Sequence, residues 1–505
     1  MRNSRSKNFV QLGCLLTALS ILFLSGCMAG KNYEAPDISR QMAEEWKAPE
    51  NGTLLDTQEQ PDTAWWQQFD DEVLTGLVER LAGSNLALAE ARERIMEAYT
   101  RRGIIRADTQ VQAAASASYT HAEAGDEAVS FTGPPPGTSA DLFTMGAAAG
   151  WEIDLWGRTM HLVTAADADI EAGYADYRSM LVSLSAELTL AYIDLSTLGA
   201  RLETAQENIT LQEKTLELAQ ARLDSGVGTA LVVAQTKRLL QSTRAQVPEL
   251  SRGITAAQNR IHVLLGLRPG DIQLKPESMP KVPDLIGMGI PMDLMTRRPD
   301  ISAAALRYRA AVARTGAAEA NKYPRLSLSG ALNLQSDSLG GLIDTDSLIY
   351  SLGPDLYFPL FTGGRIENSI QQRASQAEQA RLALSRKLIE ALSEVETAAV
   401  GVVQTQEQVL LLQAAETSAL DSVEIAESLF DSGLGDLFQV LDSQKQLVSI
   451  QQSLLRSQQE ALSQVVYLYR ALGGGWEGKD SVLRSEVRGR KQREGQKGRT
   501  VDREG

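Results

Sequence analysis

The chain has 505 residues, the length of roughly three average domains or of one elongated repeat architecture. Hydrophobic residues make up 43% and charged residues 22%, enough to bury a core, but aromatics are only 5% and three His serve the whole chain, which argues against catalytic or metal sites built from several histidines. The net charge of −15 argues against nucleic acid as a partner, because phosphates require a basic face.

At the N-terminus, Arg2, Arg5 and Lys7 precede a 16-residue apolar run from Phe9 to Leu24 that ends in Leu24-Ser25-Gly26-Cys27. A charged head, an apolar middle and a small-residue cut site make a secretory signal, and the run is shorter than the roughly 18 to 20 residues that cross a bilayer as a helix. The last four residues also resemble the bacterial lipobox. Residues 1–26 are therefore expected to be removed, leaving Cys27 as the lipidated first residue and a net charge of −18. The alternative is an ordinary secretory signal with an incidental Cys. Met28, rather than Asp, after the Cys implies sorting to the outer membrane. Cys14 leaves with the signal, so no disulfide pair remains and the fold must rely on packing and oligomerisation. Acyl chains on Cys27 anchor stably at about 0.8 kcal/mol per buried CH₂.

The remainder is predicted to be a lipid-anchored extended segment (27–66), two copies of one unit (67–269 and 270–476) and a charged, structureless tail (477–505) whose composition lacks an apolar period. The duplication shows in Arg222-Leu223-Asp224-Ser225-Gly226-Val227-Gly228, which aligns with Leu429-Phe430-Asp431-Ser432-Gly433-Leu434-Gly435 at an offset of 207. Upstream, Leu155-Trp156-Gly157-Arg158 corresponds to Leu360-Phe361-Thr362-Gly363-Gly364-Arg365 with two residues inserted.

Taken in chain order, each copy offers two strands and then a helical hairpin. Strands are expected over about 111–121 and 142–155, then 325–336 and 347–360; Phe143, Met145, Ala147, Ala149, Trp151 and Ile153 share one face, and residues 326–334 carry apolar side chains or Gly at even positions. Strands of about ten alternating residues suit a transmembrane barrel, and Trp151, Trp156, Tyr357, Phe358 and Phe361 near their ends suit an interfacial girdle. Four strands cannot close a barrel, so several chains must contribute; the alternative is a soluble antiparallel sheet.

The hairpins are expected over about 158–266 and 365–472. In the first, Leu181, Leu188, Leu195, Leu202, Ile209, Leu216 and Leu223 recur every seven residues, interleaved with Leu184, Ala191, Leu198, Ala205, Gln212 and Ala219; a shift of 207 reproduces the register. Strict heptads impose a left-handed supercoil, and the 63 residues from His161 to Leu223 would span roughly 95 Å. Each hairpin turns at Asp-Ser-Gly-x-Gly, and Pro248 should kink one return helix. Taken alone, the heptads also suit a solid tethering coiled coil.

Taken together, these landmarks resemble the outer-membrane factor family of TolC-like efflux channels, in particular its lipid-anchored NodT and OprM-like branch. Further carriers are Tyr323-Pro324-Arg325-Leu326-Ser327-Leu328 entering a strand, Arg297-Arg298-Pro299-Asp300-Ile301 opening a helix, and Trp151-Glu152-Ile153-Asp154-Leu155-Trp156-Gly157-Arg158 leaving a strand. The resemblance implies a mainly α fold with a transmembrane β portion. Three chains would supply four strands each to a 12-stranded barrel continuous with a periplasmic α-helical barrel. It implies a homotrimer in outer-membrane lipid, a periplasmic adaptor and an inner-membrane pump, and a passive exit duct for small molecules. Adaptor docking would fall on the tips, Arg222, Leu223, Asp224, Ser225, Gly226 and Gly228 with Leu429, Phe430, Asp431, Ser432, Gly433 and Gly435. Leu429 stands where the family pattern has Arg, and the first copy lacks the Pro entering its strand. The acidic periplasmic aperture would fall on Asp436; its other reading is an N-cap of the return helix.

Neither Gly-x-Gly pair extends to a dinucleotide fingerprint or a P-loop, and His121, His161 and His262 are far apart in sequence from one another. No catalytic residue, metal site or cofactor is expected, apart from the lipid at Cys27. The rival readings are a non-channel tethering lipoprotein of the cell envelope and a periplasmic enzyme on a helical scaffold.

Overall fold

The computed structural model describes residues 54–127, 134–275, 278–477 and 483–490, with short pieces at 29–30, 33–34, 36 and 45–47. The signal and Cys27 lie outside the described residues.

The element order is duplicated. The first copy runs α1 (Glu72–Ser84), α2 (Leu86–Ala107), β1 (Gln112–Glu123), β2 (Ser139–Ile153), α3 (Arg158–Asp224), α4 (Ala230–Arg244) and α5 (Gln246–Leu264). The second runs α6 (Pro299–Ala320), β3 (Arg325–Ser336), β4 (Leu348–Tyr357), α7 (Arg365–Asp431) and α8 (Leu437–Leu472). α3 and α7 are 67 residues each and α2 and α6 are 22 each. The chain divides into two compact units, one of residues 1–36, 97–172 and 304–383, the other of 37–96, 173–303 and 384–505.

In the first unit the four strands form one antiparallel sheet in the order β1-β2-β3-β4. The helices beside it meet through small side chains, Ala165 and Ala168 against Ala310 and Ala313, because alanines let helix axes approach closely. Trp156 stacks on Tyr323 with ring centroids 4.9 Å apart and donates Nε1–H to the Pro324 carbonyl at 2.7 Å. Of the leading segment, Ala29 is pinned here: its N–H donates to the Trp156 carbonyl at 3.0 Å, and its carbonyl accepts from His161 Nε2 at 2.9 Å.

In the second unit the heptads form the core, with one correction. Leu181, Leu188 and Leu195 are buried, but further along α3 Leu202, Ile209, Leu216 and Leu223 are only half-buried, and the inner line is Ala205, Asn208, Gln212, Thr215 and Ala219. The smaller side chains face inward there, and two polar ones find partners: Asn208 Nδ2 donates to Gln451 Oε1 at 3.1 Å, and Gln444 Nε2 to Thr215 Oγ1 at 3.3 Å. In α7 Leu388, Val395, Val402, Val409, Val423 and Phe430 are buried as the spacing predicts. The return helix breaks at Ala245, between α4 and α5. Pro248 has no N–H for the Arg244 carbonyl and its ring crowds that carbonyl, which explains the break.

Two boundaries shift. Trp65 and Trp66, at the end of the expected extended segment, are buried, and Trp65 stacks on Tyr469 of α8 at 5.3 Å. The tail expected to be structureless forms a helix over 483–490, here α9. Leu483 and Val487, one turn apart, are buried; Glu486 pairs with Arg92 at 3.0 Å, Arg490 pairs with Glu93, and Arg484 lies 4.5 Å from the Tyr174 ring centroid. The charges line the rim of a two-residue apolar stripe too short to register as a period in the sequence.

Candidate functional site

The hairpin tips are two copies of one turn. Gly226 and Gly433 take left-handed φ values of +76° and +75°, and each N–H donates at 3.0 Å, to the carbonyls of Leu223 and Phe430 respectively. The next two N–H groups converge on one carbonyl: Val227 and Gly228 on Arg222 at 3.1 and 2.9 Å, Leu434 and Gly435 on Leu429 at 2.9 Å each. These are helix C-terminal carbonyls satisfied by the turn that follows. The second glycine of each pair answers to space: a Cβ on Gly228 would lie 2.8 Å from the Leu223 nitrogen, and one on Gly435 would lie 3.1 Å from Leu429 Cβ.

The polar tip side chains serve the turns. Asp224 accepts from Gln220 Nε2 at 3.0 Å, Ser225 Oγ donates to the Ala221 carbonyl at 2.7 Å, and Ser432 Oγ donates to the Leu429 carbonyl at 3.0 Å, while Asp431 is exposed. Asp436 caps α8, its Oδ1 accepting from the Gln439 N–H at 3.0 Å; Thr229 does the same for α4 through the Val232 N–H at 3.4 Å. Asp436 is exposed, so the cap leaves one carboxylate oxygen free of protein partners among the described residues.

The two tips come together. Arg222 lies over the Phe430 ring, 4.6 Å from its centroid, and Phe430 is buried in a cluster with Ala219, Ala426, Leu437 and Val440. Sequence reasoning missed the exposed apolar residues beside this cluster, Val227, Leu231, Leu434 and Phe438. Val227 and Leu434 were findable: each sits between two glycines in a turn, where a polar residue is usual, at the same position in both copies.

The sheet register sorts the strands into two chemically distinct faces. Leu326, Leu328, Gly330, Leu332 and Leu334 of β3 pair across β2 with Ile153, Trp151, Ala149, Ala147 and Met145, and across β4 with Leu356, Pro354, Leu352, Tyr350 and Leu348. The opposite face carries Ser327, Ser329, Asn333 and Gln335, flanked by Glu152, Gly150, Gly146 and Thr144. One face is oily over its whole height and the other is mostly small or polar, with Ala148, Ala331 and Ile349 its apolar members. Trp151 donates Nε1–H to the Thr109 carbonyl at 2.9 Å, which fixes its ring at the strand end.

Among the described residues no group of three or more His, Cys, Asp or Glu is placed to hold a metal ion. His121 meets Asp141 at 2.8 Å on the outer part of the β1–β2 hairpin, and His262 Nε2 donates to the Ile272 carbonyl at 2.9 Å.

Comparison with known proteins places this architecture. The family model described as outer membrane efflux protein matches residues 77–267 and 290–474. The chain is 30% identical over 440 residues to the pyoverdine export outer membrane protein OpmQ of Pseudomonas putida, covering 86% of this chain and 92% of that protein. It is 27% identical over 464 residues to nodulation protein T of Rhizobium leguminosarum bv. trifolii, covering 90% and 96%. The solved structure of the outer-membrane channel OprN superposes with a TM-score of 0.81 at 28% identity, covering 89% of this chain and all of that one. With its duplicated hairpins, its two-faced sheet and these likenesses, the chain belongs to the outer membrane efflux protein family and is an outer-membrane channel component of an efflux system.

Proposed function

We propose that three copies of this chain form one passive exit duct, in which their sheets close a 12-stranded barrel and their hairpins enclose a periplasmic bore. The observation that carries this reading is the sheet: one continuous apolar face, one polar face, and outer edges of β1 and β4 that pair with no other described strand. An open sheet leaves edge N–H and C=O groups without partners, which is untenable in lipid; joining edges between copies satisfies them. From Leu326 to Leu334 the apolar face of β3 rises roughly 27 Å, or about 20 Å when tilted as barrel strands are, close to the hydrocarbon band such barrels present. Along α7, Leu382, Ile389, Val400, Leu410, Leu411, Leu420 and Ile425 are exposed in the single chain and would find cover against a second copy.

Cys27 carries the lipid anchor in this reading. The tips at Arg222–Gly228 and Leu429–Gly435 dock a periplasmic adaptor, using the exposed Val227 and Leu434 as apolar contacts. Asp436, repeated three times, lines the periplasmic aperture while capping its helix. The duct catalyses nothing and binds no cofactor, and an inner-membrane pump supplies the energy. The test is reconstitution: the purified full-length protein should run as a trimer and give discrete conductance steps in planar lipid bilayers. A monomer, or a trimer that leaves the bilayer insulating, would refute the reading.

A further inference from the structure

Where β4 leads into α7, the first unit has an open surface pocket of about 150 Å³ lined by Asn321, Arg325, Tyr357, Arg365 and Ser369 among others, and by no carboxylate; Arg325, Tyr357 and Arg365 are exposed. Arg325 and Tyr357 are direct register partners on the polar face of the sheet. Arg325 donates Nη2–H to Asn321 Oδ1 at 2.8 Å, and the Asn321 amide is held in turn by the Ala317 carbonyl at 3.3 Å. Among the described residues neither Arg325 nor Arg365 has a carboxylate partner.

The first copy of the repeat supplies an internal comparison. Arg365 corresponds to Arg158; with the two inserted residues allowed for, Tyr357 corresponds to Glu152, and Arg325 aligns with Gln110. In the first copy the charge is cancelled, since Glu152 Oε1 accepts from Arg158 Nε and Nη2 at 3.3 and 3.0 Å. In the second, a phenol replaces the carboxylate and a second guanidinium replaces the amide, so a neutral group of three becomes a doubly positive one inside a strongly acidic chain. Two solvent-exposed guanidinium groups lining one pocket are hydrated when it is empty, and an anion entering between them forms charge-assisted hydrogen bonds with them.

The geometry points to an anion-binding site in this pocket, taking the carboxylate, phosphate or sulfonate group of a larger molecule between Arg325 and Arg365, with the Tyr357 and Ser369 hydroxyls as neutral donors. The same chemistry fits two sources, an acidic group on the cargo or the phosphate of a phospholipid. The cargo source rests on the duct reading, in which the polar face borders the bore.

Selenate is the probe. Crystals of the full-length protein soaked in selenate are expected to show anomalous density between Arg325 and Arg365. Calorimetric titration with sulfate should weaken about tenfold in Arg365→Gln, the size of one charge-assisted hydrogen bond, with partial recovery in Arg365→Lys. An empty pocket, or a carboxylate of a neighbouring copy filling it, overturns the site. The source is read in cells and by native mass spectrometry. Export of an anionic dye that falls several-fold in Arg365→Gln, while export of its neutral ester is unchanged, assigns the cargo. A phospholipid retained by the wild type and lost in the variant assigns lipid. Bound selenate with neither effect means an adventitious ion only, and overturns the proposal. Absence of conductance from the wild type would sink the duct reading but leave the selenate result standing.

Discussion

Arg222 of the first hairpin lies over the ring of Phe430 in the second, 4.6 Å from its centroid, and the reciprocal contact does not exist. The counterpart of Arg222 is Leu429, and the counterpart of Phe430 is Leu223. An Arg at 429 would find no ring at 223 to cover, so the tips are joined by an asymmetric pair. Phe430→Leu keeps most of the buried volume but removes the ring, and should cost about 0.5–1 kcal/mol. The expected readings are a slightly lower thermal midpoint and more frequent opening of the reconstituted channel. Lower stability with unchanged opening would assign the pair a structural role alone.

Asp436 carries a cap and a charge, and the two roles can be separated. Asp436→Asn retains a good N-cap, whereas Asp436→Ala removes the bond to the Gln439 N–H at a cost of about 1 kcal/mol. If the carboxylate lines the aperture, both variants raise conductance or relieve block by divalent cations. If it only caps, Asn behaves as wild type and Ala differs only in stability.

Arg298 joins three elements of the second unit. Its Nε and Nη2 grip both oxygens of Asp300 at 3.1 and 2.9 Å, and its Nη1 reaches the Ala471 carbonyl at 2.8 Å and Glu394 Oε2 at 2.7 Å. Burial opposes ionisation of Asp300, but the Arg298 hydrogen bonds, its charge and that of Lys387 outweigh it and hold the carboxyl below its usual 3.8. A carboxyl whose folded pKa is depressed contributes stability in full above the unfolded value and loses it as pH falls through the folded one. Asp300→Asn should therefore flatten the loss of thermal stability below about pH 4, and Arg298→Leu should cost about 2 kcal/mol at neutral pH by removing the charged donor of the half-buried Asp300 and of the Ala471 carbonyl.

Removal of residues 481–505 deletes α9 and its two buried side chains, each contributing about 1.5–3 kcal/mol when covered. Amide exchange should rise in α2 around Arg92 and in α3 around Tyr174, the surfaces that α9 contacts. Unchanged exchange there would mean that α9 does not dock in solution.

Cys27→Ser should abolish incorporation of labelled palmitate into a protein that is still exported. Continued labelling would place the lipid elsewhere or identify the signal as an ordinary secretory one.

Some of this structure follows from sequence because it is periodic. Heptads over α7 and the first part of α3, alternation over β3 and the repeated Gly pairs are short-range rules expressed where they are written: Leu181, Leu188 and Leu195 are buried, the left-handed glycines fall at 226 and 433, and Pro248 breaks its helix at Ala245. The Arg297–Ile301 motif was legible as a helix start, but the grip of Arg298 on Glu394 and Ala471 was not, because those partners lie about 100 and 170 residues away in a chain whose pairing only folding decides.

Local pattern alone determined which segments are rods and which are strands, where they turn and that the unit occurs twice, since backbone geometry and side-chain period act over a few residues. Tertiary structure decided the rest: the small, polar line of α3 faces inward below Leu195, Trp65 and α9 belong to the packed unit, and two tips of different composition share one cluster. Those outcomes depend on which surface a side chain meets across space, and no spacing along the chain encodes that.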